Sequence, residues 1–140
     1  MQSNPNVEVV RRGYEAFGRG DLEALMSLFA EDISWVTPGP AELPTSGRRR
    51  GRQEVAGFFQ TLNAHFEVDQ FTPRQFIAEG DRVVVTGDEH ARSRLTGRVL
   101  TLEWCHIFEL REGMVVAFTE YFDTWAAMDA MREKAAAAGA

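Results

Sequence analysis

The chain has 140 residues, 44% of them hydrophobic, and carries a formal net charge of −6. This length is enough for one domain with a sizeable core and too short for two ordinary ones, so we predict a single domain over residues 1–140. The negative charge argues against a nucleic-acid partner, because binding to phosphates requires a basic face.

The cysteine count and the lack of long apolar runs limit the class of protein further. Cys105 has no second cysteine to pair with, which excludes an internal disulfide and a cysteine-rich metal site. No apolar run approaches the ~18 residues of a membrane span, and residues 1–6 lack the pattern of a signal peptide. We therefore expect a cytoplasmic protein with no membrane association, no metal and no cofactor.

Two helices are predicted at the start of the chain. Asn4 followed by Pro5 is typical of a helix N-terminus, and Asp21 is placed to cap a second, short helix. Apolar residues recur at helical spacing behind both caps and predict faces that pack in the core. These residues are Val7, Val10, Tyr14 and Phe17 in the first helix and Leu22, Leu25, Met26 and Phe29 in the second.

Residues 33–37 have strand character and lead into a loop rich in Pro, Gly and Arg that extends to Gly51. The basic cluster at residues 48–52 is typical of a solvated loop that enters a helix; its alternative role is to grip an anionic substrate. A third helix is predicted from Gln53, with Gly51 and Glu54 placed as its N-cap and N3 residues.

The second half of the chain is predicted to form an antiparallel meander, because its strand-like segments are joined by tight turns. A last helix is predicted from Trp125 to about residue 134, with Asp123 or Thr124 as its cap, and the alanine-rich residues 135–140 are expected to fray. The predicted strands span residues 71–79, 82–94, 98–110 and 114–123, with turns at residues 80–81, 96–97 and 112–113.

This order of elements predicts an α+β fold in which a curved antiparallel sheet wraps around the N-terminal helices and a C-terminal helix completes the domain. Such an interior can be hollow. The three Trp and ten Phe of the chain suit the walls of an aromatic cavity, although any single Phe is equally typical of core packing.

Short segments along nearly the whole chain carry a family resemblance. They are residues 14–17, 20–25 and 28–32, Trp35 with residues 38–39, Gly51 before residues 58–59, residues 96–98, and residues 111–113 leading to residues 120–123. In these segments the chain resembles the nuclear transport factor 2-like superfamily, and within it the SnoaL-like group that includes ketosteroid isomerase, polyketide cyclases and limonene epoxide hydrolase. The resemblance implies a cone-shaped α+β barrel and a homodimer; the reaction is left open, since this scaffold carries unrelated chemistries.

The functional residues of two relatives can be compared position by position. The carboxylate base, the helix-one Tyr and the protonated Asp of ketosteroid isomerase correspond to Thr37, Gly13 and His106, so steroid isomerisation by that mechanism is not expected. The two catalytic carboxylates of limonene epoxide hydrolase correspond to Glu89 and Glu120, which are still acids.

The other parts of the epoxide hydrolase site differ. Its bridging Arg corresponds to Gly87, and the pair that places the water corresponds to about Trp35 and Thr37. The resemblance therefore implies that both carboxylic acids are present, whereas the bridging Arg through which they share a proton is missing.

Alternation along the strands places three titratable side chains on the inner face of the sheet. Glu120 is in phase with Phe118 and Phe122, while Glu89 and His106 are in phase with the apolar residues of their own strands. Alternatively, Glu89 is a carboxylate at the open rim of the cone, and His106 is a hydrogen-bonded residue of the core. If the two acids meet, one should hold a proton near neutral pH.

The register of the last hairpin decides which side chains share that face. A one-residue bulge at Gly113 pairs the His106 face with Glu120, and a hairpin without the bulge pairs it with Tyr121 and Asp123. With the bulge, the opposite face offers apolar surface for a dimer at Cys105, Ile107, Val115 and Ala117.

The leading hypothesis is a small cofactor-independent enzyme that performs acid–base chemistry on an apolar, oxygen-bearing small molecule. Glu120, Glu89 and His106 are the predicted catalytic residues, and the reaction is epoxide hydration, isomerisation or aldol-type cyclisation. The alternative is a non-catalytic module that binds a hydrophobic ligand or assembles through its sheet. The predicted ligand-contacting residues are Phe17, Trp35, Thr37, Phe58, Trp104, Phe118 and Phe122.

Overall fold

The structure is a computed structural model, and it describes residues 4–132. Within these residues the chain forms four helices, three of which begin directly after a capping residue that the sequence predicts. Asn4 and Asp21 accept hydrogen bonds from the first turns of α1 and α2, and Asp123, rather than Thr124, caps α4. The predicted tail at residues 135–140 lies outside the described residues. The helices are α1 Pro5–Gly18, α2 Leu22–Met26, α3 Gly51–His65 and α4 Thr124–Met131.

The described residues also form one curved, open sheet of six strands in the order β2-β1-β6-β5-β4-β3. The predicted meander is confirmed, because β3 to β6 follow one another as antiparallel neighbours. The helices lie against the inner face, and their apolar side chains form one core with it. The strands are β1 Phe29–Thr37, β2 Gly47–Arg50, β3 Phe66–Glu79, β4 Arg82–Ser93, β5 Val99–Arg111 and β6 Met114–Phe122.

The prediction of a purely antiparallel sheet is wrong at one position. β1 lies parallel to β6, with Trp35 beside Phe118, so the sheet is mixed. The α+β class is unchanged by this pairing. The reason is topological: β1 enters the sheet after two helices and joins the last strand of the meander, and α3 then separates the β1–β2 hairpin from β3.

The basic cluster is a strand rather than a solvated loop. Gly47–Arg50 pairs antiparallel with β1, and the guanidinium of Arg49 donates to the backbone oxygens of Thr45 and Pro44. Helix α3 begins at the predicted cap, Gly51, so its N-cap residue is Arg50, whose backbone N–H donates to the Glu54 carboxylate.

The last hairpin contains the expected extra residue, at a different place. Glu112 and Gly113 both have positive φ, which makes a two-residue turn that joins Arg111 directly to Met114. The extra residue is Val116, since Leu110 pairs with Val115 but Glu109 pairs with Ala117. The bulge still brings Glu120 opposite His106.

Because the bulge lies at Val116 and not at Gly113, one side chain that was predicted on the outer face of the sheet points inward. Val115 precedes the bulge, so it points inward and is only 2% exposed, whereas Ala117 lies on the other face. Val115 is therefore part of the core and not of an outer apolar surface. None of the helices in residues 4–132 combines the length and the apolar composition that a membrane crossing requires.

Candidate functional site

A cavity of about 100 Å³ lies between the inner face of the sheet and the helices. Its wall is mostly apolar and includes three titratable groups that the sequence places on inward phases, namely Glu89, His106 and Glu120. Five of the seven predicted ligand-contacting residues also line it. These are Phe17, Trp35, Phe58, Phe118 and Phe122.

Thr37 and Trp104 are buried but do not line this cavity. Thr37 lies at the end of β1, and its hydroxyl has no hydrogen-bond partner among the described residues. Trp104 stacks on the imidazole of His106, with ring centres 4.1 Å apart, and on Phe71 at 4.6 Å. Trp104 therefore supports the ring of His106 rather than presenting a surface to a ligand.

Gly87 explains how the Trp104 indole reaches this position. A Cβ atom at residue 87 would overlap the indole ring of Trp104 and the backbone oxygen of Thr72. The absence of a side chain is thus a packing requirement. The same overlap excludes the bridging Arg that the family comparison aligns with this residue.

Replacing Gly87 with Ala is expected to destabilise the fold by roughly 2–4 kcal/mol, because backbone and a buried ring must both move. Gly57 provides a matched control, since it lies in α3 and a Cβ atom there would meet open space. Gly57→Ala should therefore stabilise the protein by about 1 kcal/mol. Chemical denaturation of both variants measures the difference. An unchanged free energy of unfolding in Gly87→Ala would contradict the packing requirement.

His106 lies at the centre of a hydrogen-bonded array. Its Nε2 atom lies 2.8 Å from Oε2 of Glu120, directly opposite on β6. Its Nδ1 atom lies 2.7 Å from the hydroxyl of Tyr14 on α1. Tyr14, His106 and Glu120 thus form one array that crosses the interior from helix to sheet, and we call it the Tyr14–His106–Glu120 array.

The array is embedded in aromatic rings. The ring of Tyr14 contacts Phe71, Phe76 and Phe108, with ring centres about 6 Å away in each case. Burial, with a further contribution from the negative charge of Glu120, raises the pKa of Tyr14 far above its ordinary value. Tyr14 therefore keeps its proton throughout the physiological range.

Glu89 faces the same cavity from β4 without joining the array. Among the described residues its carboxyl group has no hydrogen-bond partner, and it makes no contact of that kind with Glu120 or His106. Burial raises the pKa of Glu89 to about 8, and the charge of Glu120 adds to the effect. At neutral pH the cavity therefore presents a carboxylic acid at one point and the hydrogen-bonded Glu120 at another.

Tyr14 is the member of the site that the sequence pattern does not identify. It occurs at helical spacing with Val10 and Phe17 and therefore reads as part of an apolar stripe. The available signal is its hydroxyl, because a buried Tyr usually finds a polar partner. Across the described part of the chain, no three His, Cys, Asp or Glu side chains are grouped so as to hold a metal ion.

Comparisons with known proteins bear on the family and the fold of this chain. The family model of the SnoaL-like domain matches residues 10–118. An NTF2-like protein from Burkholderia pseudomallei is similar at 31% identity, with a TM-score of 0.86 over 92% of this chain and 98% of the other. An NTF2-like protein from Burkholderia xenovorans has 33% identity and a TM-score of 0.84 over 94% and 99% of the two chains.

A third solved structure is that of TerC, which was co-crystallised with polyporic acid. It is 29% identical to this chain, with a TM-score of 0.84 over 91% of this chain and 98% of TerC. All three similarities extend over almost the entire length of both proteins.

Proposed function

The chain belongs to the SnoaL-like family of the NTF2-like superfamily, and from this premise we propose that it is an enzyme that transfers protons to and from a carbonyl compound. Isomerisation and aldol-type cyclisation both begin with such a transfer. Glu120 is the general base in this proposal, Glu89 is the general acid, and His106 holds Glu120 in place.

One observation carries the proposal: a single apolar cavity contains two carboxyl groups in different environments. Glu120 is hydrogen-bonded to His106, whereas Glu89 has no such partner among the described residues and its pKa is raised to about 8. A pair of titratable groups in such different surroundings is the usual arrangement for an acid and a base. Both carboxyl groups line the same cavity, and no hydrogen bond joins them among the described residues.

The proton transfer can be written with all atoms balanced. The Glu120 carboxylate takes a proton from the carbon next to the carbonyl group, and the electrons of that C–H bond form a C=C bond. The carbonyl oxygen becomes an enol oxygen by accepting the proton of Glu89. In an isomerisation, the substrate carries a further C=C bond conjugated with the enol, so protonated Glu120 returns the proton at the far end of that bond, the double bond moves, and Glu89 recovers its own proton from the enol oxygen.

The wall of the cavity indicates the class of substrate. Among the described residues that line it, none is Lys or Arg, so a carboxylate or phosphate group would find no positive partner and would be repelled by Glu120. An apolar engineered cavity of ~150 Å³ binds benzene, so a space of about 100 Å³ limits the compound to at most about one ring. We therefore propose small, uncharged ketones with no more than one aromatic ring as substrates.

Deuterium exchange tests this proposal without knowledge of the final product. In D₂O the protein should accelerate the exchange of hydrogens next to the carbonyl of a neutral aromatic ketone, which NMR follows directly. The rate should fall as the pH rises through about 8, because Glu89 then loses the proton that it provides. Exchange should be much slower for the corresponding carboxylate-bearing ketone.

Two results would contradict the proposal. One is a neutral ketone that binds in the cavity and shows no accelerated exchange, and the other is a rate that does not respond to pH near 8. In the first case non-catalytic ligand binding becomes the better description, and in the second case Glu89 is not the acid.

Epoxide hydration has weaker support from the same site. It requires a held water, and the two residues that the family comparison aligns with the water-placing pair are Trp35, an indole, and Thr37, which lies outside the cavity wall. A homodimer is a further proposal that rests on family resemblance, and a cytoplasmic location is one that rests on the single cysteine. Light scattering of the purified protein checks the first of them.

A further inference from the structure

We propose that Tyr14 is a positioning residue that fixes the tautomer of His106 and thereby directs the imidazole N–H at the carboxylate of Glu120. Its hydroxyl donates to Nδ1 of His106, which leaves the imidazole proton on Nε2, where it is donated to Glu120. The inference deepens the proposed function and rests on it only in naming Glu120 as the base. The arrangement of protons in the array is a separate claim with its own test.

Hydrogen-bond accounting selects this direction for the array. If Tyr14 donates to Nδ1, the neutral imidazole carries its proton on Nε2 and donates it to the Glu120 carboxylate. The phenol proton, both ring nitrogens and one carboxylate oxygen are then all satisfied. A buried group left without a partner is costly, so a fully satisfied array is favoured.

The reverse direction leaves one proton without an acceptor. If Nδ1 carried the proton and donated to the Tyr14 oxygen, the phenol proton would have to point into the surrounding Phe rings. Among the described residues, His106 is the one hydrogen-bond partner of that hydroxyl. Tyr14 therefore acts as a donor, and a donor at Nδ1 requires the proton on Nε2.

The other groups that face the array do not alter this result. Glu89 on β4 is the remaining titratable side chain of the cavity wall, and among the described residues no hydrogen bond joins it to the array. Cys105, next to His106 on β5, lies on the opposite phase of the strand. Helix α3, helix α4 and strand β1 contribute only uncharged side chains to the wall. The direction of the hydrogen bonds thus depends on Tyr14.

The test is Tyr14→Phe, which keeps the ring and removes only the hydroxyl. Without the donor, Nδ1 of His106 loses its hydrogen bond, so its ¹⁵N signal should shift to that of an unprotonated nitrogen without a donor, and the population of the tautomer with the proton on Nε2 should fall.

A second measurement needs no variant of Tyr14. The chain has three His residues, so ¹⁵N NMR of the imidazoles gives few signals, and His106→Gln identifies the relevant one. We expect His106 to carry its proton on Nε2 at neutral pH. A proton on Nδ1 would overturn the inference even if Tyr14→Phe failed to fold.

Tyr121→Phe is the matched control, because the chain has two Tyr residues and Tyr121 is 51% exposed on the other face of the sheet. It should leave the imidazole signals of His106 unchanged. Equally unchanged imidazole signals in Tyr14→Phe would also overturn the inference. If these signals change as expected while no ketone undergoes exchange, the positioning role stands and the proposed function fails.

Discussion

Replacing Glu120 with Gln is expected to reduce the rate constant of proton exchange by about 10³-fold, the effect typical of a lost general base. Gln has nearly the same shape as Glu and can accept the hydrogen bond from Nε2 of His106 through its amide oxygen. The fold and the affinity for a neutral ketone should therefore change little. Kinetic constants for exchange, with ligand affinity measured by calorimetry on the same samples, separate the two effects.

Glu103→Gln is the control for this experiment. Glu103 lies on β5, the strand of His106, but is exposed and belongs to the outer phase of that strand. The same change in charge should leave exchange unaffected there. A similar loss in both variants would point to a general electrostatic effect, and full activity in Glu120→Gln would exclude Glu120 as the base.

Glu89→Gln is expected to be more stable than the unmodified protein at pH 8.5. The difference in free energy of unfolding between the two proteins should be about 2–4 kcal/mol larger at pH 8.5 than at pH 4.5. The folded state raises the pKa of Glu89 from its ordinary value of 4.5 to about 8, so between these two values the folded chain binds more protons than the unfolded chain. The free energy of unfolding consequently falls as the pH rises from 4.5 to 8. The full pKa shift of Glu89 corresponds to a loss of about 5 kcal/mol in the free energy of unfolding, and partial exposure of the side chain reduces this loss.

Chemical denaturation of the unmodified protein and the variant at both pH values measures this difference. The comparison isolates Glu89, because the other titrating groups are common to both chains. Glu79→Gln, at the exposed end of β3, should show no such pH-dependent difference. Equal stability of the two proteins at pH 8.5 would show that Glu89 is solvated and ionised, and its role as the acid would then be lost.

The same variant connects stability with activity. Gln at residue 89 retains a hydrogen-bond donor but cannot lose a proton, so the remaining exchange rate should no longer fall as the pH rises through 8. If an uncharged side chain at residue 89 makes the protein more stable, the carboxyl group is retained for function and not for stability. Stabilisation without any change in the pH dependence of exchange would assign Glu89 to the cavity wall alone.

Local sequence signals were sufficient for most of the elements. Asn4, Asp21 and Asp123 cap their helices as predicted, because capping depends on a side chain and the backbone within three residues. Strand alternation also placed Glu89 and Glu120 on the inner face, since the period of two is a property of the backbone itself. Both results come from interactions that are short in sequence.

Three features depend on contacts between distant parts of the chain. The parallel pairing of β1 with β6 and the strand at Gly47–Arg50 arise when segments far apart in sequence meet in one sheet. The bulge lies at Val116 rather than at Gly113, and this difference turned Val115 inward. A turn sequence predicts that the strands reverse, but packing of the whole hairpin decides which residue is left unpaired.

The sequence by itself determined the α+β class, the helix caps and the inward phase of the two acids and of His106. Tertiary structure alone decided the chemistry of these groups. Tyr14 is 92 residues from His106 and reads as an apolar helix residue until the helix is placed against the sheet. Burial and neighbouring charge, which set the pKa of Glu89 and the direction of hydrogen bonds in the Tyr14–His106–Glu120 array, exist only after the chain has folded.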